Sequence, residues 1–241
     1  MILGIIPARY DSSRFPGKPL VNIQGKTMIE RVYQQCAKAD RLDKVIVATD
    51  DERIFRHVQG FSGHVMMTKG HHISGTERIG EVAKNFPEYD HCINIQGDEP
   101  YIDPRQIDLL CETLADDPAV HIATLVKRTQ DKERAQNPNS IKVVVDHNGD
   151  ALYFSRSLIP FYRNLLKTGE PTYLQHIGIY GFTREILLKI PQMKPSELET
   201  AESLEQLRWM ANGYKIRTAE TDMESHSIDT PEDLHRLLEG R

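Results

Sequence analysis

The sequence predicts an α/β fold, a mostly parallel sheet with helices on both faces, and three observations carry that expectation. "MILGII" at the amino terminus, "KVIVATD" (44–50) and "HCINIQGDEP" (91–100) are short, continuous apolar runs of the kind that form strands buried on both faces. The stretches between them carry apolar residues at helical spacing. Strand alternating with helix implies parallel strands wrapped by helices. After about residue 120 the pattern changes to closely spaced strand candidates, which points to an antiparallel part.

Each element has a local reason. In "KTMIERVYQQCAKAD" (26–40), Met28, Ile29, Val32, Tyr33, Cys36 and Ala37 recur on one helical face behind Thr27 as the N-cap candidate. Further helices are expected from Asp51 to about Gln59 and from Thr76 to Phe86. "HIATLVKR", "SIKVVVDHNGDALYFSR" and "QHIGIYGFT" read as strands, with Asn148-Gly149 as a hairpin turn. A helix over 200–211 is expected to end at Gly213, with "YKIRTAE" as a further strand and "DTPEDLHRLLEG" as a closing helix. No internal repeat, low-complexity run or linker divides the chain, so one domain over 1–241 is expected.

Composition narrows the function. The chain has 241 residues, 39% of them hydrophobic, enough for a full core. A formal net charge of −5 argues against general affinity for nucleic acid, which rewards a basic surface. Cys36, Cys92 and Cys111 are odd in number and lack C-x-x-C spacing, which fits a reducing, cytoplasmic setting. The amino terminus shows no basic n-region, its apolar run stops at Pro7, and no later run approaches membrane-spanning length.

Positive charge is concentrated locally. "GIIPARYDSSRFPGKPL" (4–20) follows a buried strand with Arg9, Arg14 and Lys18 in a loop stiffened by Pro16 and Pro19, a pattern suited to a polyanion such as phosphate. "NIQGKT" mimics the end of a Walker A loop, but Leu20 stands where the first glycine belongs, so a tight turn capped by Thr27 is expected. No G-x-G-x-x-G follows the first strand. "DHNGDA" opens like a calcium loop but has Ala151 at position six and Ser157 at position twelve, and reads as a hairpin turn. His71-His72 reads as a solvated loop. In "NIQGDEP", Gln96, Asp98 and Glu99 leave a buried strand where such sheets bind ligands. Asp98 and Asp229 of "SIDTPEDL" could together hold Mg²⁺, although Asp229 could equally cap the last helix, a role open to Thr230 as well. Glu202, Glu205 and Gln206 fall at three- and four-residue spacing on the 200–211 helix.

Eight segments, "IPARYDSSRFPGKPL", "VATDDERI", "SGTERI", "NIQGDEP", "ALYFSR", "HIGIYGF", "SLEQLRW" and "IDTPEDL", together resemble the 3-deoxy-manno-octulosonate cytidylyltransferases, or CMP-Kdo synthetases, in the family's order. The resemblance implies a nucleotide-diphospho-sugar transferase-like, Rossmann-like domain with an antiparallel dimerisation excursion over about 120–190. It implies a homodimeric, cytoplasmic enzyme that joins CTP to Kdo for lipopolysaccharide synthesis, releasing pyrophosphate and using Mg²⁺. Its residues carry over as follows: Ala8, Arg9, Arg14, Lys18, Arg78 and Gln96 at CTP; Gln96, Arg156, His176, Tyr180, Glu205 and Gln206 at the sugar; Asp98 and Asp229 at the metal; and Lys18, Arg9, Asp98 and Asp229 in catalysis. "KGHHISGTER" and the stretch 163–172 depart from the pattern. An 8-amino-Kdo or sialic acid cytidylyltransferase, or a non-catalytic nucleotide-sugar binding module, are the competing expectations.

Overall fold

The computed structural model describes residues 1–11, 15–72, 74–164, 169–224 and 226–239. The chain opens with β1 (Ile2–Ala8) and then forms a two-strand ribbon, β2 (Asn22–Ile23) and β3 (Lys26–Thr27). Gly25 turns that ribbon at φ 87°, and Thr27 then caps α1 (Met28–Cys36) by accepting the Glu30 N–H at 3.3 Å. The Walker-like stretch is therefore a tight turn and a helix cap.

β4 (Lys44–Thr49), α2 (Glu52–Gly60), β5 (Val65–Met67), α3 (Gly75–Asn85) and β6 (His91–Asn94) follow. Next come α4 (Pro104–Ala115), β7 (Ile122–Thr129), α5 (Lys132–Gln136), β8 (Lys142–Val145) and β9 (Ala151–Ser155). The described chain closes with β10 (Tyr173–Thr183), α6 (Arg184–Lys189), α7 (Glu197–Glu202), α8 (Gln206–Ala211), β11 (Arg217–Glu220) and α9 (Pro231–Leu238). No helix among the described residues is long and apolar enough to cross a membrane.

The main sheet runs β11-β7-β10-β6-β1-β4-β5. β1 pairs in parallel with β4 and β6, and its alternate residues feed two cores. Leu3 and Ile5 pack with α3, α6 and α8 on one face. Ile2, Ile6 and Ala8 pack with α1, α2 and α4 on the other. Each such fully buried Ile or Leu contributes about 1.5–3 kcal/mol, which explains why the central strands read as unbroken apolar runs. Cys36, Cys92 and Cys111 are all buried and unbridged in these cores.

The antiparallel part is continuous with this sheet. β10 is the reversed strand, antiparallel to both β6 and β7, while β7 pairs in parallel with β11. β10 meets β6 only over residues 180–183, so 173–179 run on past the end of β6. Further along that same edge, β8 pairs with Leu174 and Gln175. His176 N–H still reaches Ile141 O at 2.8 Å, so a gap in the edge opens at 177–179. Within it β10 bulges: Ile177 faces Leu125, and the next pair is Tyr180 with Thr124.

Three differences from the sequence expectations have physical reasons. β5 and α4 were not expected; α4 has an Asp103 cap and Pro104 at its first turn, but its core face includes the fully buried Gln106. The helix expected over 200–211 is broken, because Ser203 adopts φ 50° and divides it into α7 and α8. Gly213 (φ 87°) does end the second piece, its N–H bonding Met210 O while Tyr214 N–H bonds Trp209 O. The His71-His72 pair is not wholly solvated: the rings stack 5.6 Å apart and His72 is tied to Glu81.

Candidate active site

The chain passes from β1 outward to β4 and β5, then returns to the other side of β1 as β6. Ligands of such sheets sit where the order reverses, beyond the carboxyl ends of the strands. Here the two ends approach closely, since a Cβ on Gly97 would lie 2.9 Å from Pro7 O. A cleft of about 260 Å³ opens above them, lined by Ala8, Arg9, Lys18, His72, Ser74, Gly75, Arg78, Gln96, Asp98 and Asp229 among others. A second, of about 280 Å³, occupies the gap along β10 and shares Gln96, Asp98 and Asp229 with the first.

Lys18 owes its inward direction to its loop. Gly17, at φ 73°, donates its N–H to Tyr10 O at 2.9 Å and closes the turn, after which Lys18–Leu20 form a short 3-10 helix. The Lys18 ammonium then lies 2.7 Å from Asp98 Oδ2 and 3.4 Å from Asp229 Oδ1. The two carboxylates are joined through the backbone, Ile228 N–H donating to Asp98 O at 2.9 Å. Ile228 itself is buried with Ile23 and Met28, so a small apolar cluster anchors the Asp229 segment. Thr230 caps α9 by accepting the Asp233 N–H, which leaves the Asp229 carboxylate to face the clefts.

Arg78 is buried, and its guanidinium donates to Asp50 Oδ2 at 2.9 Å and Thr68 Oγ1 at 2.6 Å. Beside it the amino-terminal turn of α3 contributes Ser74 and Gly75, adding the partial positive charge of a helix start. Arg9 is exposed at the rim, and Arg14 lies outside the described residues.

Of the residues carried over for the sugar, Gln96 and His176 line the second cleft. Gln96 donates to Gly178 O in the β10 bulge at 2.7 Å. Thr124 directs its hydroxyl proton at Ile179 O (2.7 Å), so His176 Nε2, 2.9 Å from Thr124 Oγ1, is the donor of that pair. Burial pushes the His176 imidazole down to about 3, keeping it neutral with Nδ1 as acceptor.

The other four line neither cleft. Arg156 donates to Glu202 O at 2.6 Å, Pro138 O at 3.0 Å and Ser203 O at 3.4 Å, bracing the break between α7 and α8. Glu205 accepts from Ser74 Oγ (3.1 Å) and Thr76 Oγ1 (2.8 Å); burial raises its carboxyl, and the two hydroxyls partly offset this. Gln206 is buried, and the Tyr180 ring packs edge-on to Trp209 with centroids 5.0 Å apart. Burial, with the Glu205 charge behind it, holds the Tyr180 phenol well above its usual range. The expected clustering of Glu202 with Glu205 is not found, because Glu202 turns to Ser155 and the Arg156 N–H.

Sequence reasoning assigned no role to His72, Ser74 or Gly75 at the first cleft, to Asp50 as the partner of Arg78, or to Asn139, Gln175 and Ser227 at the second. Asp50 had a readable signal, a carboxylate at the end of a buried strand. Asn139 and Gln175 had none, since the β8–β10 pairing that brings them there is not local in sequence.

The chain matches a family model described as Cytidylyltransferase over residues 3–216. It is 49% identical over 241 residues to the 3-deoxy-manno-octulosonate cytidylyltransferase of Cytophaga hutchinsonii, covering 98% of this chain and 96% of that one. It is 51% identical over 244 residues to the protein of the same name from Bacteroides thetaiotaomicron, with 98% and 96% covered. A solved structure of CMP:2-keto-3-deoxy-manno-octonic acid synthetase complexed with CTP superposes at TM-score 0.93 and 45% identity, over 99% of this chain and 97% of the other. HddC from Yersinia pseudotuberculosis, 16% identical with TM-score 0.69 over 100% and 99%, shares the fold. With the site described and relatives of this identity along its whole length, the chain belongs to the cytidylyltransferase family, among the 3-deoxy-manno-octulosonate cytidylyltransferases.

Proposed function

We propose that this protein activates 3-deoxy-D-manno-octulosonate with CTP, giving CMP-Kdo and pyrophosphate. The observation that carries this reading is the meeting of Lys18, Asp98 and Asp229 where two clefts adjoin: the first brings Arg9, Lys18 and Arg78 together, and the second sets Gln96, Asn139, Gln175, His176 and Ser227 beside the carboxylates of Asp98, Glu99 and Asp229. The first cleft suits a nucleoside triphosphate, with Ala8 near the base and Arg9, Lys18 and Arg78 toward the phosphates; Arg14, outside the described residues, enters this reading as a carried-over phosphate contact. The second suits a polyhydroxylated sugar, with Gln96 at the junction and His176 Nδ1 as an acceptor for a hydroxyl. Arg156, Tyr180, Glu205 and Gln206 enter this reading as the carried-over sugar residues, and Glu205 adjoins the first cleft through Ser74.

The reaction needs no covalent enzyme intermediate. The anomeric oxygen of the sugar forms a bond to the α-phosphorus as the α–β bridge breaks, the hydroxyl proton passes to solvent, and pyrophosphate departs. The protein orients both substrates and neutralises charge, and Lys18 and Arg9 stand near the leaving phosphates.

Mg²⁺ fits the donors present. Asp98 and Asp229 already converge on one cation, the Lys18 ammonium, and offer only hard carboxylate oxygens, to which phosphate oxygens and water could add. Among the described residues no group of three or more His, Cys, Asp or Glu side chains could hold a metal by itself, so phosphate oxygens and water would have to complete the ion's shell. When bound, the ion would neutralise the phosphate charge and lower the pKa of a coordinated sugar hydroxyl.

Purified protein assayed for pyrophosphate should respond only when CTP, Kdo and Mg²⁺ are all present. Comparable turnover with UTP, or with a neutral hexose 1-phosphate, would remove the assignment; preference for 8-amino-Kdo or a sialic acid would redirect it to another acidic sugar. Within this reading the enzyme is a cytoplasmic homodimer supplying lipopolysaccharide synthesis, with the 120–190 segment at the subunit contact.

A further inference from the structure

Lys18 lines the cleft assigned to the triphosphate, yet its ammonium lies against the two carboxylates assigned to the metal. Its Nζ is 2.7 Å from Asp98 Oδ2 and 3.4 Å from Asp229 Oδ1, and only 15% of the side chain is exposed. The backbone beneath it is fixed, because Gly17 N–H bonds Tyr10 O and Leu20 N–H bonds Gly17 O, each at 2.9 Å. The stem above is four methylenes long and can swing within the cleft by rotamer changes alone. The backbone segments that carry the carboxylates are also held together, through the Ile228 to Asp98 backbone hydrogen bond and the burial of Ile228. Two carboxylates pinned this near each other repel unless a cation stands between them. An ammonium and a divalent ion cannot share that position, since like charges a few ångströms apart in a partly desolvated cleft oppose each other strongly.

We infer that Lys18 is a tethered counter-ion that closes the metal position in the free enzyme and leaves it only when the nucleotide's phosphates offer denser negative charge. Metal consequently enters with CTP or after it, and the carboxylates stay aligned in the meantime. This rests on Asp98 and Asp229 being the metal-holding pair.

The test measures binding, with Mn²⁺ as the probe and the signal of free Mn²⁺ in electron paramagnetic resonance as the readout, in the absence of nucleotide. Lys18→Gln should bind Mn²⁺ about tenfold or more tightly than the parent, and Lys18→Met, which keeps most of the stem, should show the same gain. Lys26→Gln makes the same change of charge at an exposed residue of the β2–β3 ribbon, where Lys26 bonds Gln34, and should bind as the parent does. A non-hydrolysable CTP analogue should raise the parent's affinity more than the Lys18 variants'. Gain in neither Lys18 variant, or an equal gain in Lys26→Gln, overturns the inference. Mn²⁺ binding in the CTP-analogue complex without that gain overturns it alone, whereas no Mn²⁺ binding by any form, even with the analogue, overturns the metal reading and the inference together.

Discussion

His176 shows how one residue can serve core and cleft at once. Its ring packs at 5.2 Å from both Phe154 and Tyr180, while one edge reaches the second cleft. Folding holds its pKa at about 3 against an ordinary 6.5, so between those values the unfolded chain carries the extra proton. The stabilisation is complete above pH 6.5 and is lost as pH falls toward 3. His176→Gln keeps a donor for Thr124 but cannot titrate. Its stability deficit relative to the parent should therefore narrow on acidification from pH 7 to 5, by up to about 1.4 kcal/mol per pH unit below 6.5. Denaturant titrations across that range check it, and a constant deficit would mean that the ring is not held neutral. Residues such as Lys18 and Asp98 were legible because each directly follows or precedes a recognisable strand or turn. Arg156 was not, since the carbonyls that hold its guanidinium come from a break at Ser203 that its neighbours do not announce.

At the scale of elements, the clefts depend on how closely the ends of β1 and β6 approach. Gly97→Ala puts a Cβ 2.9 Å from Pro7 O, a backbone atom that cannot rotate aside. The strand ends would have to part, at a cost of about 1–3 kcal/mol by comparison with other overpacked sites. The variant should melt below the parent and show a raised KM for CTP; unchanged melting and kinetics would show that the ends separate freely. The strand–helix alternation of the first hundred residues was readable because a strand buried on both faces needs a continuous apolar run and its helix an apolar stripe. α4 carries the same stripe, but with Gln106 on its buried face, donating to Met223 O at 3.3 Å. The reversed direction of β10 and its place between β6 and β7 were not readable, because pairing partners far apart in sequence decide them.

For the whole molecule, the two large apolar side chains most exposed are Phe161, at 87%, and Leu152, at 60%, among the described residues, and both lie on the segment assigned to dimerisation. Sedimentation at assay concentration should give a dimer, and Phe161→Asp should move it toward monomer; a monomeric parent would refute the assignment. The stretch of β10 beyond the end of β6 has a separate meaning for the molecule. That overhang is one wall of the second cleft, and it is the same strand whose far end lies between β6 and β7 in the core. The first cleft is faced instead by Arg9 and by Lys18 and Pro19, which follow the Gly17 turn. The second cleft thus has a wall that can yield only if the core yields with it.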